Sequence, residues 1–238
     1  MDSYISNLGS LEYCSIIKRI NRLNRFTVLT KIREKEEKVW LTNTGRLNEI
    51  VFENNIGLCL KIEKPKKLRY VLVGTKVTDD EFCLIDTRLQ MECFEIAHQK
   101  NLIGWLKDFK LIKRNIRVNN SLIDYLFKKN DDELYLEVKS AVFFDGYYAM
   151  YPDCPSLRGR RHVEELISLN EKGKRTMLVF ITAHPLAKAF KPNYNTDPVL
   201  ARLIKQAYTK GVEVHSIKMS LKRNGDVILK DIDLPVEL

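Results

Sequence analysis

Two short segments carry residue types able to do hydrolytic chemistry: "SLIDYLF", which holds Asp124, and "LYLEVKS", which holds Glu137 and Lys139. In the second, Leu134, Leu136 and Val138 alternate with Tyr135, Glu137 and Lys139, the two-residue period of a β-strand. Glu137 and Lys139 therefore share a face. The turn-like "KKNDDE" between the segments predicts an antiparallel hairpin. A two-residue turn at Asn130-Asp131 puts Asp124 across from Glu137, with β-carbons about 4.5–5.5 Å apart. A turn at Asp131-Asp132 puts Asp124 across from Lys139 instead, and a three-residue loop splits the group unless a bulge restores it.

Two carboxylates this close repel each other and call for a cation. Mg²⁺ or Mn²⁺ takes hard oxygen ligands and keeps several waters, so Asp124 and Glu137 are the candidate metal ligands. Lys139 is placed to orient a metal-activated water or to offset developing negative charge. Asp followed by Glu-x-Lys on the next strand is the arrangement that the PD-(D/E)xK nuclease superfamily uses on phosphodiesters. Next comes "YPDCPSLRGRRHVEEL", where Arg158, Arg160 and Arg161 bunch at the start of a predicted helix. Cations there oppose the helix dipole and suit a bound phosphate, which arginine grips in a bidentate fork. His162 is a second-ranked candidate for catalysis or phosphate contact.

These residues need a scaffold, and the chain divides into two textures. Residues 12–84 hold about five short β-branched and aromatic runs, "RFTVLTKIR", "EKVWLTN", "GLCLKIE", "LRYVLVG" and "EFCLI". They fit a small OB-like β-barrel. From residue 85 the order becomes helix (88–100), three strands (109–118, 121–127, 134–144), helix (160–172), strand ("TMLVFIT"), helix, strand. That is a mixed sheet flanked by helices. Asp197 reads as an N-cap with Pro198 at the first helical position, Gly211 as the stop, and Asn224-Gly225 as a hairpin turn. The expected domains are 1–84 and 85–238.

A net charge of +9 and a pI near 9.2 favour an acidic partner, of which nucleic acid is the commonest. Basic residues outnumber acidic ones in both halves, so a binding surface must be assembled by folding. No apolar run approaches the roughly 18 residues that span a bilayer. Met1-Asp2 begins without the features of a signal peptide, and five scattered cysteines form no CxxC pair. The expected protein is cytoplasmic, with reduced thiols and no membrane partner. A homodimer is left open. Single-stranded RNA is an alternative partner, with Phe26, Trp40 and Tyr70 as stacking platforms on the barrel.

The ordered pieces "NRF" (Asn24–Phe26), "NTG" (Asn43–Gly45), "SLID", "YLEVKS", "YPDCPSLRGRRHVEEL", "GVEV" and "LPV" resemble the sugar fermentation stimulation protein (SfsA) family. The resemblance covers most of the chain. It implies an N-terminal OB-like domain, a C-terminal restriction-endonuclease-like domain, DNA binding and, in bacterial members, a link to regulation of sugar metabolism; double-stranded DNA is the expected partner. Its acidic site falls on Asp124 and Glu137 with Lys139, and Glu95 is preferred to Glu92 as an additional acidic member. Arg25, Asn43 and Arg46 join Arg158, Arg160, Arg161 and His162 as expected nucleic-acid contacts. Thr42 and Arg46 replace the proline and serine that often flank "NTG". A DNA-binding regulator that retains the site without turnover is the alternative to a nuclease.

Overall fold

The computed structural model describes residues 2–17, the strand Arg22–Asn24 and residues 26–238. The N-terminal half contains β1 (Ser3–Asn7), β2 (Leu11–Ile16), β3 (Arg22–Asn24), β4 (Thr27–Ile32), β5 (Lys35–Trp40), β6 (Ile56–Lys61), β7 (Tyr70–Lys76) and β8 (Glu81–Leu84). Five of these close a barrel in the order β2-β4-β5-β7-β6 and back to β2. Closure is by a parallel bridge at Trp40–Val71, every other pairing being antiparallel. Closing the sheet removes the exposed edges that an open five-stranded sheet would leave.

The expected strand set differs at one end. "EFCLI" leaves the barrel: β8 pairs with β7 and also with a C-terminal strand, so the barrel runs on into the second sheet. The fifth barrel strand is "LEYCSI", whose Cys14 and Ile16 are buried on one side. Its Glu12 and Ser15 blunt the apolar alternation in the sequence.

The second half begins with α1 (Thr87–Gln99), capped by Asp86, whose carboxylate accepts from the backbone N–H groups of Arg88 and Leu89. Then come β9 (Lys110–Val118), β10 (Ser121–Lys129), β11 (Asp132–Ala141), β12 (Phe143–Phe144), β13 (Tyr148–Tyr151), α2 (Leu157–Glu171), β14 (Arg175–Thr182), β15 (Ala189–Pro192), α3 (Pro198–Thr209), β16 (Glu213–Lys222) and β17 (Asp226–Asp231). The main sheet runs β8-β16-β14-β11-β10-β9. The β16-β14-β11 core is parallel and the flanking pairs are antiparallel. Strand β14 is the apolar centre, covered on both faces, as its continuous run predicts.

Helix α1 packs on one face with Tyr125, Phe127, Leu134 and Leu136. Helices α2 and α3 pack on the other with Ile123, Leu178 and Phe180. Helix α2 starts at Leu157, ahead of the expected residue 160, because Ser156 caps it through Gly159 N–H. Asp197 caps α3 through Leu200 N–H, with Pro198 in its first turn, as expected. Strand β1 lies outside the barrel and pairs with β17. A separate small sheet, β12-β13-β15, carries the chain into α2. Among the described residues no helix is long and apolar enough to cross a membrane.

Candidate active site

The β10–β11 hairpin turns at Asn130-Asp131: Lys129 pairs with Asp132, and Asn130 takes a positive φ of 54°. This register continues through Tyr125–Leu136 and brings Asp124 to Glu137. At that point side chains replace the regular ladder. Glu137 Oε2 accepts from Asp124 N–H at 3.1 Å, and Asp124 Oδ2 accepts from Val138 N–H at 2.9 Å. On the neighbouring strand Asn115 has a positive φ of 52°, a further departure from regular pleating beside the site.

Glu137 is 1% exposed and is the hub. Its Oε1 receives both the Lys139 ammonium and His162 Nδ1. Arg158 Nε donates to His162 Nε2 at 3.3 Å, so that nitrogen is the acceptor and Nδ1 carries the proton given to Glu137. Arg158 and His162 stand one helical turn apart on α2 and reach the strands together. Gly159 lies between them because a β-carbon there would meet Tyr151 Oη at 2.7 Å and Ser156 Oγ at 2.9 Å.

The electrostatics split the two carboxyls. Burial, then the neighbouring Glu137 charge, pushes the Asp124 carboxyl up to about 7. Burial would also raise Glu137, but Lys139 and His162 outweigh it and hold Glu137 below the ordinary range. Burial opposes the Lys139 charge, yet Glu137 wins and raises its value, so Lys139 stays an ammonium. Glu137 is thus neutralised by direct ion pairs, whereas Asp124 makes none among the described residues, and the pull of Lys139 and Arg158 on it does not outweigh burial and Glu137. Asp124 Oδ1 has no hydrogen-bond partner among the described residues. Two hard-oxygen side chains, one of them without an ion-pair partner among the described residues, fit a divalent ion that keeps its own waters and would favour the ionised form of Asp124. They stop short of a full cage: among the described residues no group of three His, Cys, Asp or Glu side chains is placed to hold a metal.

Beside Lys139 opens a cleft of about 320 Å³, walled by Thr42, Asn43, Gln90, Ser140, Asp153 and Arg158. Its lip is the "NTG" loop of the barrel half. Asn43 Oδ1 accepts from Gly45 N–H, and Asp153 Oδ2 accepts from Leu47 N–H at 3.0 Å. A β-carbon at Gly45 would collide with the Asp153 carboxylate, so only glycine lets the loop sit this close. Asp153, a position that the family resemblance marks, lines the cleft, together with Gln90, which the sequence did not point to. Gln90 is buried and donates to Leu84 carbonyl at 2.6 Å.

The other candidates separate. Arg158 and Arg161 are exposed at the start of α2, Arg158 on the cleft. Arg160 is a correction: it bridges to the fully buried Asp197 at 2.8 Å and ties α2 to the start of α3. Glu95 is a second correction. Arg114 and the Tyr125 hydroxyl hold its carboxylate, on the α1 side of the sheet. Glu92 is exposed on α1. Asn43 is buried and braces the loop, while Arg46 is exposed on it. Arg25 lies outside the described residues. Of the stacking candidates, Phe26 is exposed, Tyr70 is half-buried, and Trp40 carries the Arg88 guanidinium on its ring at 4.2 Å.

Residues 88–225 match the profile described as the sugar fermentation stimulation protein RE domain, and residues 20–85 match the SfsA N-terminal OB domain. The chain belongs to the sugar fermentation stimulation protein family. A sugar fermentation stimulation protein homolog of Pyrococcus furiosus is 43% identical over 222 residues, covering 92% of this chain and 94% of the relative. One from Archaeoglobus fulgidus is 42% identical over 229 residues, covering 96% and 98%. The solved structure of Pyrococcus furiosus SfsA in complex with Ca²⁺ has a TM-score of 0.93 at 41% identity, covering 99% of this chain and 100% of that one. The OB-like barrel followed by a restriction-endonuclease-like mixed sheet is therefore the family's architecture.

Proposed function

We propose that this protein binds the backbone of double-stranded DNA and hydrolyses a phosphodiester bond with Mg²⁺ or Mn²⁺ held by Asp124 and Glu137. The observation that carries the reading is the pair of interlocked buried carboxylates, one of them without an ion-pair partner among the described residues, beside a charged lysine at an open cleft. When bound, the ion supplies Lewis acidity toward a phosphoryl oxygen and a water acidified toward neutrality. Lys139 orients that water and balances negative charge as it develops. His162 fixes the Glu137 carboxylate, and Arg158 holds a flanking phosphate at the start of α2. The Ca²⁺ in the Pyrococcus furiosus relative supports the choice of a hard divalent cation. We place the family's link with sugar fermentation at this DNA contact.

A DNA-binding regulator without turnover is favoured by one observation: Lys139 and His162 both occupy Glu137 Oε1, an oxygen that an ion would compete for. Supercoiled plasmid incubated with Mn²⁺ or Mg²⁺ separates the two. Nicking that disappears in Glu137→Gln and in Lys139→Ala, with both variants folded by circular dichroism, supports hydrolysis. Nicking that survives both substitutions overturns the assignment, and retarded but uncut DNA selects the regulator.

A further inference from the structure

The face that carries Glu137 continues away from the cleft as two cross-strand rows. In the first, Leu126 of β10 lies between Tyr135 of β11 and Lys113 of β9. In the second, Lys128 lies between Glu133 and Lys110. Paired residues point the same way, and Glu133 and Tyr135 share the face of Glu137 by alternation. Lys110 and Lys113 are three positions apart, so a regular strand would send them to opposite faces. The irregularity between Leu126 and Phe127 inserts Ile112 as an extra residue and returns both lysines to one face. Lys110 and Lys113 are exposed on β9, an edge strand that no other strand covers among the described residues, and Lys128 is half-buried on the adjoining β10.

This arrangement opposes like charges. Lys110 sits directly across from Lys128, a pairing that destabilises a sheet by itself. The nearby carboxylates are engaged elsewhere: Asp108 with Lys129, Glu133 with Lys174, Asp132 with Arg175 and Glu95 with Arg114. Three ammonium groups are thus gathered on one surface, and the one carboxylate opposed to them, Glu133 across from Lys128, is shared with Lys174. The Lys110–Lys128 row is four residues along the strands from Glu137, about 13 Å. That length of duplex carries about four phosphates on each strand.

We infer that Lys110, Lys113 and Lys128 form a backbone track for duplex DNA, leading from the Glu137 site along the β9–β10 edge. The inference rests on the proposed DNA reading and adds the path that the polyanion takes. It is tested by fluorescence anisotropy of a labelled duplex over a salt series in EDTA, for the wild type and the triple variant Lys110→Ala, Lys113→Ala, Lys128→Ala. The slope of log K against log salt falls in magnitude by about 2.7 in the triple variant, 0.9 for each lost phosphate contact. Its melting temperature stays level or rises, because the opposed charges are gone, which a structural role would not produce. A wild type that binds while the triple variant keeps the same slope overturns the track and leaves the proposed function standing. A wild type that does not bind duplex DNA overturns both.

Discussion

Replacing Asp124 with asparagine should stabilise the metal-free protein at alkaline pH while removing its capacity to hold an ion. The carboxyl is raised from 3.8 to about 7, first by burial and then by Glu137, so the folded state binds this proton more tightly than the unfolded chain does. Folding is therefore unpenalised below the unfolded value and loses stability as pH climbs from about 4 to about 7, with the full cost above that. The shift of about 3 units corresponds to about 4 kcal/mol at 1.36 kcal/mol per unit. Asp124 keeps some solvent contact, which screens the repulsion, and about 2 kcal/mol is the working figure. An asparagine Oδ1 can still accept from Val138 N–H, so the substitution removes charge and little else. For a chain of this length 2 kcal/mol moves the midpoint by roughly 4–8 °C. Calorimetry in EDTA should show that gain at pH 8 and almost none at pH 4.5, where the wild type carries the proton. Adding Mg²⁺ or Ca²⁺ at pH 8 should close the gap by stabilising the wild type alone. Equal midpoints at pH 8, or the same gain at both pH values, would refute the reasoning.

Three further outcomes follow from the geometry. Gly45→Ala drives a β-carbon into Asp153 and should cost about 1–3 kcal/mol, with faster proteolysis in the loop around Asn43; an unchanged cleavage pattern would mean the loop does not depend on that close approach. Asp197→Ala strands Arg160 and the N–H groups of Ser156 and Leu200, so urea unfolding should register a loss of about 3–5 kcal/mol. Glu95→Gln should leave plasmid nicking intact, because Arg114 and Tyr125 hold that carboxylate away from the cleft; loss of nicking in a stably folded variant would return Glu95 to the site.

What was legible in the sequence was whatever depends on neighbours along the chain. The alternation of β11 and the side-chain period of two brought Asp124 near Glu137 and Lys139 for either two-residue turn, and the structure selects the turn at Asn130-Asp131. The Asp197-Pro198 start of α3 was equally local. Illegible were the contacts whose partners lie far off. Strand β1 pairs with β17 across more than two hundred residues, and the "NTG" loop takes its anchor from Asp153, 106 positions away. Strands β13 and β15 are four residues each, too short for a period to register.

The misplaced charges share one physical cause. Arg160 looked like its neighbours Arg158 and Arg161 because a run of arginines shows charge and not direction; successive helical residues turn through about a quarter of a circle. Arg158 faces the strands, Arg161 faces water, and Arg160 faces α3, where the buried Asp197 claims it. Glu95 failed the same way: it belongs to α1, which packs on the face opposite α2. The same rule applied forward would have raised His162 in rank. Its i, i+4 spacing from Arg158 sets both on one stripe, and the ring is buried, so one stripe of α2 delivers a guanidinium and an imidazole to the same carboxylate cluster. Helical direction, rather than charge density, separates the arginine that reaches the site from the one that holds the helices together.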